Sequence, residues 1–269
     1  MENLATITDS PATLTPIPAL SDNYIWMVQK NGYAIVVDPG ESAPIEALLT
    51  HGLILEAILI THHHGDHVGG VRALQQLTGA RVYGPATETL PHCDVAVREG
   101  DVVQLPGTGL RFEVLDIPGH TAGHIAYHGM LDEQTPALFC GDTLFAVGCG
   151  RLFEGTPAQM LESLSKLGNL PPDTLVCCGH EYTVANIRWA LQVEPDNIAL
   201  QQRAQDAAHL RTQGLPTVPS SIAAELETNP FLRTAHAQIG SAASRHAATM
   251  LETPQAIFAC LRQWKNDFK

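Results

Sequence analysis

The chain is short of basic residues: 15 Lys and Arg stand against 28 Asp and Glu, a formal net charge of −13 over 269 residues. Proteins that hold nucleic-acid phosphates or anionic membranes do so with clustered Lys and Arg, so neither partner is expected. No apolar run is long enough to cross a bilayer as a helix; the best, "GLILEAILI", is interrupted by Glu56. No basic residue precedes Lys30, and the opening "MENLATITDS" is acidic and polar. That excludes a secretory n-region or an Arg-rich transit peptide and gives a cytoplasmic expectation. The six cysteines make no Cys-x-x-Cys pair, and Cys177 and Cys178 are adjacent, an awkward geometry for bridging each other, so all six are read as reduced thiols. Internal repeats and low-complexity tracts are absent too. What remains is a globular composition, 45% hydrophobic and 16% charged, long enough for one large domain with or without a smaller companion.

From Thr15 to about Cys178, short β-rich runs alternate with turns and a few helical stretches. "YIWMVQ", "YAIVVD", "EAILIT", "RVYG", "DVVQL", "RFEVLDI", "HIAYHGML", "ALFCGD" and "TLVCCG" read as strands. "SAPIEALLTHG", "VGGVRALQQLTG" and "TPAQMLESLSKLG" read as helices, each closed by a Gly where a C-terminal cap belongs. Beyond Tyr182, "TVANIRWALQVEP", "NIALQQRAQDAAHLRTQG" and "TPQAIFACLRQWKN" are helical, with "GLPTVPSS" a Pro-rich connector inside a second, smaller unit. Hairpins mixed with such helices give an α+β layered arrangement.

The densest chemistry lies in "THHHGDHVGG", where four histidines and an aspartate follow Thr61 at a predicted strand end. If the extended backbone continues, His62 and His64 share a side, and Asp66 and His67 follow at the start of the next helix. A clustered histidine tract can equally be a solvated loop. Three further segments weigh against that: "IPGHTAGH" offers His120, "FCGDT" offers Asp142 and "CCGHEYT" offers His180, each after a β run and beside a glycine that permits close backbone approach. The series H-x-H-x-D-H, G-H, G-D, G-H reads as a metal site. His63 is expected to point away from it. His124, close to His120, is a candidate to orient a ligand. The isolated His51, His92, His209, His236 and His246 are read as ordinary surface or core residues.

In that order and at those places the motif resembles the metallo-β-lactamase superfamily over about Thr15 to His180. The resemblance implies a four-layer αββα sandwich as residues 1–180, followed by a helical unit as residues 181–269. It places His62, His64 and His120 on one metal, Asp66, His67 and His180 on a second, and Asp142 between them. Such a pair activates a shared water and polarises a carbonyl, so hydrolysis is the implied chemistry, with Asp66 orienting the hydroxide. The donors suit zinc, but also iron and manganese.

Three more stretches, "ALSDNYIWMV", "GCGRLFEGTP" and "GHEYT" with its tail carrying "NPFLR" and "RQWKNDF", resemble the hydroxyacylglutathione hydrolase (glyoxalase II) family over nearly the whole chain. In the last helix Arg262 and Lys265 are three apart and so share a face. Alone, they also suit a solvated helix end whose cations complement the dipole. The resemblance makes them, with Tyr182, contacts to glutathione. Arg151 stands where "CGKFYEG"-like members have a lysine, and Phe153 where they have a tyrosine; a planar guanidinium is not an ammonium, and Phe153 has no hydroxyl to donate. The implied reaction is cleavage of S-D-lactoylglutathione to D-lactate and glutathione, in methylglyoxal detoxification, by a monomer. A thiol of pKa about 8.5 leaves with little help from an acid. Two alternatives stay open: a mononuclear iron persulfide dioxygenase of the same superfamily, which generally lacks the helical tail, and a non-catalytic metal-binding scaffold.

Overall fold

The computed structural model describes residues 11–50 and 52–268, so the acidic opening segment and His51 lie outside the described residues. Two six-stranded sheets face each other. The first takes its strands in chain order: β1 (Thr13–Ala19), β2 (Asn23–Lys30), β3 (Tyr33–Val37), β4 (Ile54–Leu59), β5 (Arg81–Pro85) and β6 (Val95–Val97). Helices α1 (Ala43–Leu49), α2 (Gly65–Val68) and α3 (Val71–Thr78) fall between its strands. β1 to β3 are antiparallel neighbours and β3 to β6 parallel ones. β7 (Val102–Leu105), β8 (Leu110–Asp116), β9 (Ile125–Met130) and β10 (Pro136–Gly141) follow in the second sheet, and β11 (Leu144–Phe145) pairs with β12 (Gly148–Cys149) as a separate hairpin. After α4 (Pro157–Gly168), β13 (Leu175–Cys178) joins β10 in parallel.

The layers follow from side-chain alternation, because successive residues of a strand face opposite sides. In β2, Tyr24, Trp26 and Val28 enter the core between the sheets, together with Phe112, Val114 and Phe139 of the second sheet. Ile25 and Met27 turn the other way, onto Ile45 of α1 and Val71 and Leu74 of α3. The result is the expected αββα order. In the first sheet the register shifts between β3 and β4. Ala34 pairs with Leu55 but Ile35 with Ala57, leaving Glu56 as an extra residue, a β-bulge. Its carboxylate accepts the amides of Gly107 and Thr108 at 2.7 and 2.8 Å.

Strand direction creates a single functional edge. β3 and β4 are parallel, as are β10 and β13, so each pair ends on the same side. β2 begins beside the end of β3, and β9 beside the end of β10, because those pairs are antiparallel. The residues after β3, β4, β10 and β13 and those before β2 and β9 thus gather at one rim. Asn23 bridges His180 there, and the Tyr24 amide donates to the Gly179 carbonyl at 2.8 Å.

Some local expectations needed correction. "VGGVRALQQLTG" is not one helix: the chain breaks at Gly69 and Gly70, giving α2 and α3. A Cβ on Gly70 would lie 2.4 Å from the backbone of Glu41, and its amide donates to Pro39 O at 2.8 Å, so a crossing loop occupies the space a side chain would need. α3 does end on a left-handed Gly79. Gly168, by contrast, is the last residue of α4, and Asn169 is the cap. The tail contains α5 (Thr183–Val193), α6 (Ile198–Thr212), the two-residue strand β14 (Ser220–Ser221), α7 (Ile222–Thr228), α8 (Ala237–Ala247) and α9 (Pro254–Asp267). The Pro-rich connector was thus only partly a connector, since β14 extends the second sheet beside β13. α7 and α8 were missed; α8, "AQIGSAASRHA", carries few large apolar residues to set a helical period. All six cysteines are free, and among the described residues no helix is long and apolar enough to cross a membrane.

Candidate metal centre and adjoining cavity

His62, His64 and His120 form one group of possible ligand atoms, and Asp66, His67 and His180 another, each within 4.8 Å of one another. The expected sharing of a side by His62 and His64 is met. Asp142 lies between the groups: its Oδ2 is 3.4 Å from His120 Nε2 and 3.3 Å from His180 Nε2, and its Oδ1 is 3.3 Å from His67 Nε2. Asp66 Oδ2 lies 3.5 Å from His180 Nε2 and 3.7 Å from His67 Nε2.

Hydrogen bonds behind the rings decide what each presents to the middle. Thr61 gives its hydroxyl hydrogen to Asp38 Oδ2 at 2.6 Å, so its oxygen accepts from His62 Nδ1 at 3.0 Å. His67 Nδ1 donates to Asp38 Oδ2 at 3.1 Å, His180 Nδ1 to Asp22 Oδ1 at 2.8 Å, and His120 Nδ1 to the Arg151 carbonyl at 2.9 Å. In its neutral form each of these four rings therefore turns an Nε2 lone pair inward. His62 Nε2 and His120 Nε2 both approach His64 Nδ1, at 3.1 and 3.0 Å. A single hydrogen on His64 Nδ1 can point fully at only one of those two lone pairs, and His67 Nε2 and Asp142 Oδ1 are buried without any hydrogen-bond partner. A nest of convergent imidazole and carboxylate donors with orphaned buried atoms fits divalent cations.

Electrostatics separates the two groups. Burial pushes His62, His64 and His120 below the usual imidazole range, so these rings resist protons. Burial opposes charge on His67 and His180 as well, yet the Asp142 carboxylate, with Asp38 behind His67 and Asp22 behind His180, raises both. Asp142 is itself held far below the carboxylate range against its burial by His67 and His180. That half of the centre attracts positive charge.

Asp38, Asp22 and Asn23, which donates to Asp66 Oδ2 at 3.1 Å, were not singled out as site residues. A signal existed for Asp38, an acid closing the strand "YAIVVD" before Pro-Gly. His124 does orient a ligand segment: it is fully buried, stacks on His62 at 4.5 Å, and its Nε2 accepts the Asp142 amide at 3.2 Å. His63 points elsewhere, to Glu154 at 2.9 Å. Gly179 is there for want of room, since a Cβ would meet Asp142 Oδ1 at 2.6 Å and His67 Cε1 at 2.7 Å.

A cavity of about 410 Å³ opens beside the centre, and His120 and Asp142 share its lining with Arg151, Phe153, Tyr182, Arg262 and Lys265. Tyr182 stacks on His180 at 4.7 Å, and the Phe153 ring stands edge-on to His64 and His120 at 5.6 and 5.3 Å. Arg262 is more committed than a surface cation. It is 6% exposed, lies over Phe231, and donates from Nη1 to the Cys149 carbonyl at 2.6 Å.

The rim of an αββα sandwich carrying His and Asp groups able to bind metals defines the class, and the Metallo-beta-lactamase superfamily model matches residues 20–180. A second model, Hydroxyacylglutathione hydrolase C-terminus, matches residues 181–268. The chain is 52% identical over 256 residues to a hydroxyacylglutathione hydrolase of Pseudomonas aeruginosa (strain LESB58), covering 94% of this chain and 98% of the relative. The corresponding enzyme of Albidiferax ferrireducens is 54% identical over 256 residues, covering 95% and 99%. Among solved structures, TTHA1623 in a di-iron-bound form is similar with a TM-score of 0.56 and 27% identity, covering 81% of this chain and 100% of that one. The chain belongs to the hydroxyacylglutathione hydrolases, a family of thioester hydrolases.

Proposed function

We propose that the chain cleaves S-D-lactoylglutathione and related glutathione thioesters to a 2-hydroxy acid and glutathione, as a cytoplasmic monomer serving methylglyoxal detoxification. His62, His64 and His120 would hold one divalent cation, Asp66, His67 and His180 a second, with Asp142 shared; zinc is preferred, and the di-iron neighbour supports a paired centre. Residues 1–180 are read as the catalytic unit and 181–269 as the helical unit that supplies substrate contacts. The observation that carries the reading is that one cavity is lined both by His120 and Asp142 and by Arg151, Arg262 and Lys265.

A bound pair of divalent ions supplies a water-derived nucleophile at neutral pH and Lewis acidity toward a carbonyl oxygen. Asp66, fixed by Asn23, is acceptor-only and orients the attacking water. The Tyr182 phenol is pushed up by burial and then by the Asp22, Asp142 and Asp66 carboxylates, so it stays a neutral donor over the cavity. The three cations face a carboxylate of the tripeptide, and the thiolate needs no dedicated acid. Phe153 offers a ring face and edge but no hydroxyl.

Metal analysis, oxygen uptake and hydrolysis on one purified sample test the reading. Two metals per chain, turnover of lactoylglutathione and no oxygen consumption are expected. Preference for a coenzyme A thioester or a β-lactam, or one iron with oxygen uptake, defeats it.

Lys265 adds a pH dependence. Burial, with Arg262 and Arg151 nearby, pulls its ammonium down to about 8. Below that pH the charge is present and the carboxylate docks; above it the charge is lost, so KM rises while kcat is little affected. Lys265→Ala should raise KM about tenfold at pH 7, the loss of one charge-assisted contact, and the difference from the native enzyme should vanish above about pH 9. A variant KM equal to the native value at pH 7 would remove Lys265 from the binding site, and a constant tenfold ratio up to about pH 10 would show that its charge is not lost near pH 8.

A further inference from the structure

Phe153 is 62% exposed, so little packing of its own keeps its ring at the edges of His64 and His120. Its place is set by the backbone that carries it. The amides of Phe153 and Glu154 both reach the His120 carbonyl, at 3.2 and 3.4 Å, and the Gly155 amide reaches Gly119 O at 3.1 Å. The Glu154 side chain then closes the arrangement. Its Oε1 meets His63 Nε2 at 2.9 Å, and its Oε2 accepts the Ala122 amide at 2.8 Å. One carboxylate thereby joins three segments that are remote in sequence: the histidine tract after β4, the loop between β8 and β9, and the stretch after β12.

We propose that Glu154 is a positioning residue: by clasping His63 and Ala122 it fixes the segment 150–155 and with it the Phe153 ring beside the candidate centre. This gives a role to the one histidine of "THHHGDH" that faces away from both ligand groups. The physical advantage is pre-ordering, since a loose segment would have to be immobilised each time substrate docks. Both Glu154 and His63 keep part of their surface in water, at 38% and 32% side-chain exposure, so the clasp contributes order to a rim rather than stability to a core. For its kinetic consequence the proposal rests on the thioester reading of the cavity; for the clasp itself it does not.

The test uses the metal-loaded full chain. Glu154→Ala should speed amide exchange at Phe153 and Gly155 about tenfold and raise KM for lactoylglutathione about fivefold, the scale of one or two net hydrogen bonds. Metal content and kcat should stay within about twofold of native. Glu154→Gln, which can accept from Ala122 and donate to a re-tautomerised His63, should restore both readouts. In a Phe153→Ala background, adding Glu154→Ala should raise KM by clearly less than in the native chain, since much of its effect passes through that ring. Unchanged exchange in Glu154→Ala, a full multiplicative effect in the Phe153→Ala background, or loss of metal each overturns the proposal. A native enzyme that leaves lactoylglutathione uncleaved refutes the thioester reading, while the exchange rates still decide the clasp.

Discussion

Replacing Asp142 by Asn is expected to lower kcat/KM for the thioester by at least about a thousandfold, roughly 4 kcal/mol of transition-state stabilisation. The side chain keeps its size but loses its charge and one acceptor oxygen, and its new amide hydrogens would face the Nε2 lone pairs of His67, His120 or His180, all within 3.4 Å of the native carboxylate. Asp38 is the other carboxylate near a ring of each group, but it is already held by the Thr61 hydroxyl and His67 Nδ1. Elemental analysis should therefore show a fall in metal per chain together with the lost activity. A variant that retained a full metal complement and near-native turnover would show that Asp142 does not bridge.

The second large effect concerns stability and lies away from the centre. Glu225 is fully buried on α7. It accepts from Arg203 at 2.6 Å, from the Val147 amide at 2.8 Å and from Asn229 Nδ2 at 2.9 Å. Val147, at the tip of the β11–β12 hairpin, has φ of +58°, a conformation a β-branched residue rarely adopts and keeps only when its surroundings over-determine it. The tail supplies that restraint: Asn186 donates to Ala146 O, Asn229 to the carbonyls of Phe145 and Gly148, and Arg262 to Cys149 O. Glu225→Ala takes the carboxylate from Arg203, which keeps only the neutral acceptors Ala224 O, Thr228 and Ser220, and removes the acceptor of the Val147 amide; it should cost about 3–5 kcal/mol, a fall of roughly 6–20 °C in Tm for a chain of this size. Calorimetry on samples matched for metal content checks it, since metal binding itself raises Tm. A shift below about 2 °C would show that the hairpin holds without this clamp. Because Phe145 and Cys149 line the cavity, KM should rise in the same variant.

These two predictions differ in how far the sequence announces them. Asp142 follows an apolar run and a glycine in "FCGDT", the form shared by His120 and His180, so residue type and position in the strand are both visible. Glu225 sits in "SSIAAELETNP", where nothing separates it from a solvated helix acid; only the packed structure shows an arginine, an amide and an asparagine closing on it. Lys265 and Arg262 fall between. Their shared helix face is legible from spacing, but the burial of Arg262 and its bond to Cys149, 113 positions away, depend on how α9 packs. The break between α2 and α3 was hidden for a related reason, since helical periodicity carries no trace of a loop crossing at Gly70.

The sequence by itself determined which donors exist, that they stand at strand ends, and that strands alternating every second residue would bury one face between two sheets and the other under helices. These are local consequences of backbone geometry, readable from neighbours along the chain. Tertiary structure alone decided which ring nitrogen each histidine turns inward, because that depends on Asp38, Asp22, Thr61 and the Arg151 carbonyl accepting the opposite N–H. It also decided that one carboxylate lies within reach of both ligand groups, since parallel β10 and β13 bring Asp142 and His180 to the same rim. A hydrogen bond is made across space to whatever the fold brings near, and the order of residues along a chain does not record that distance.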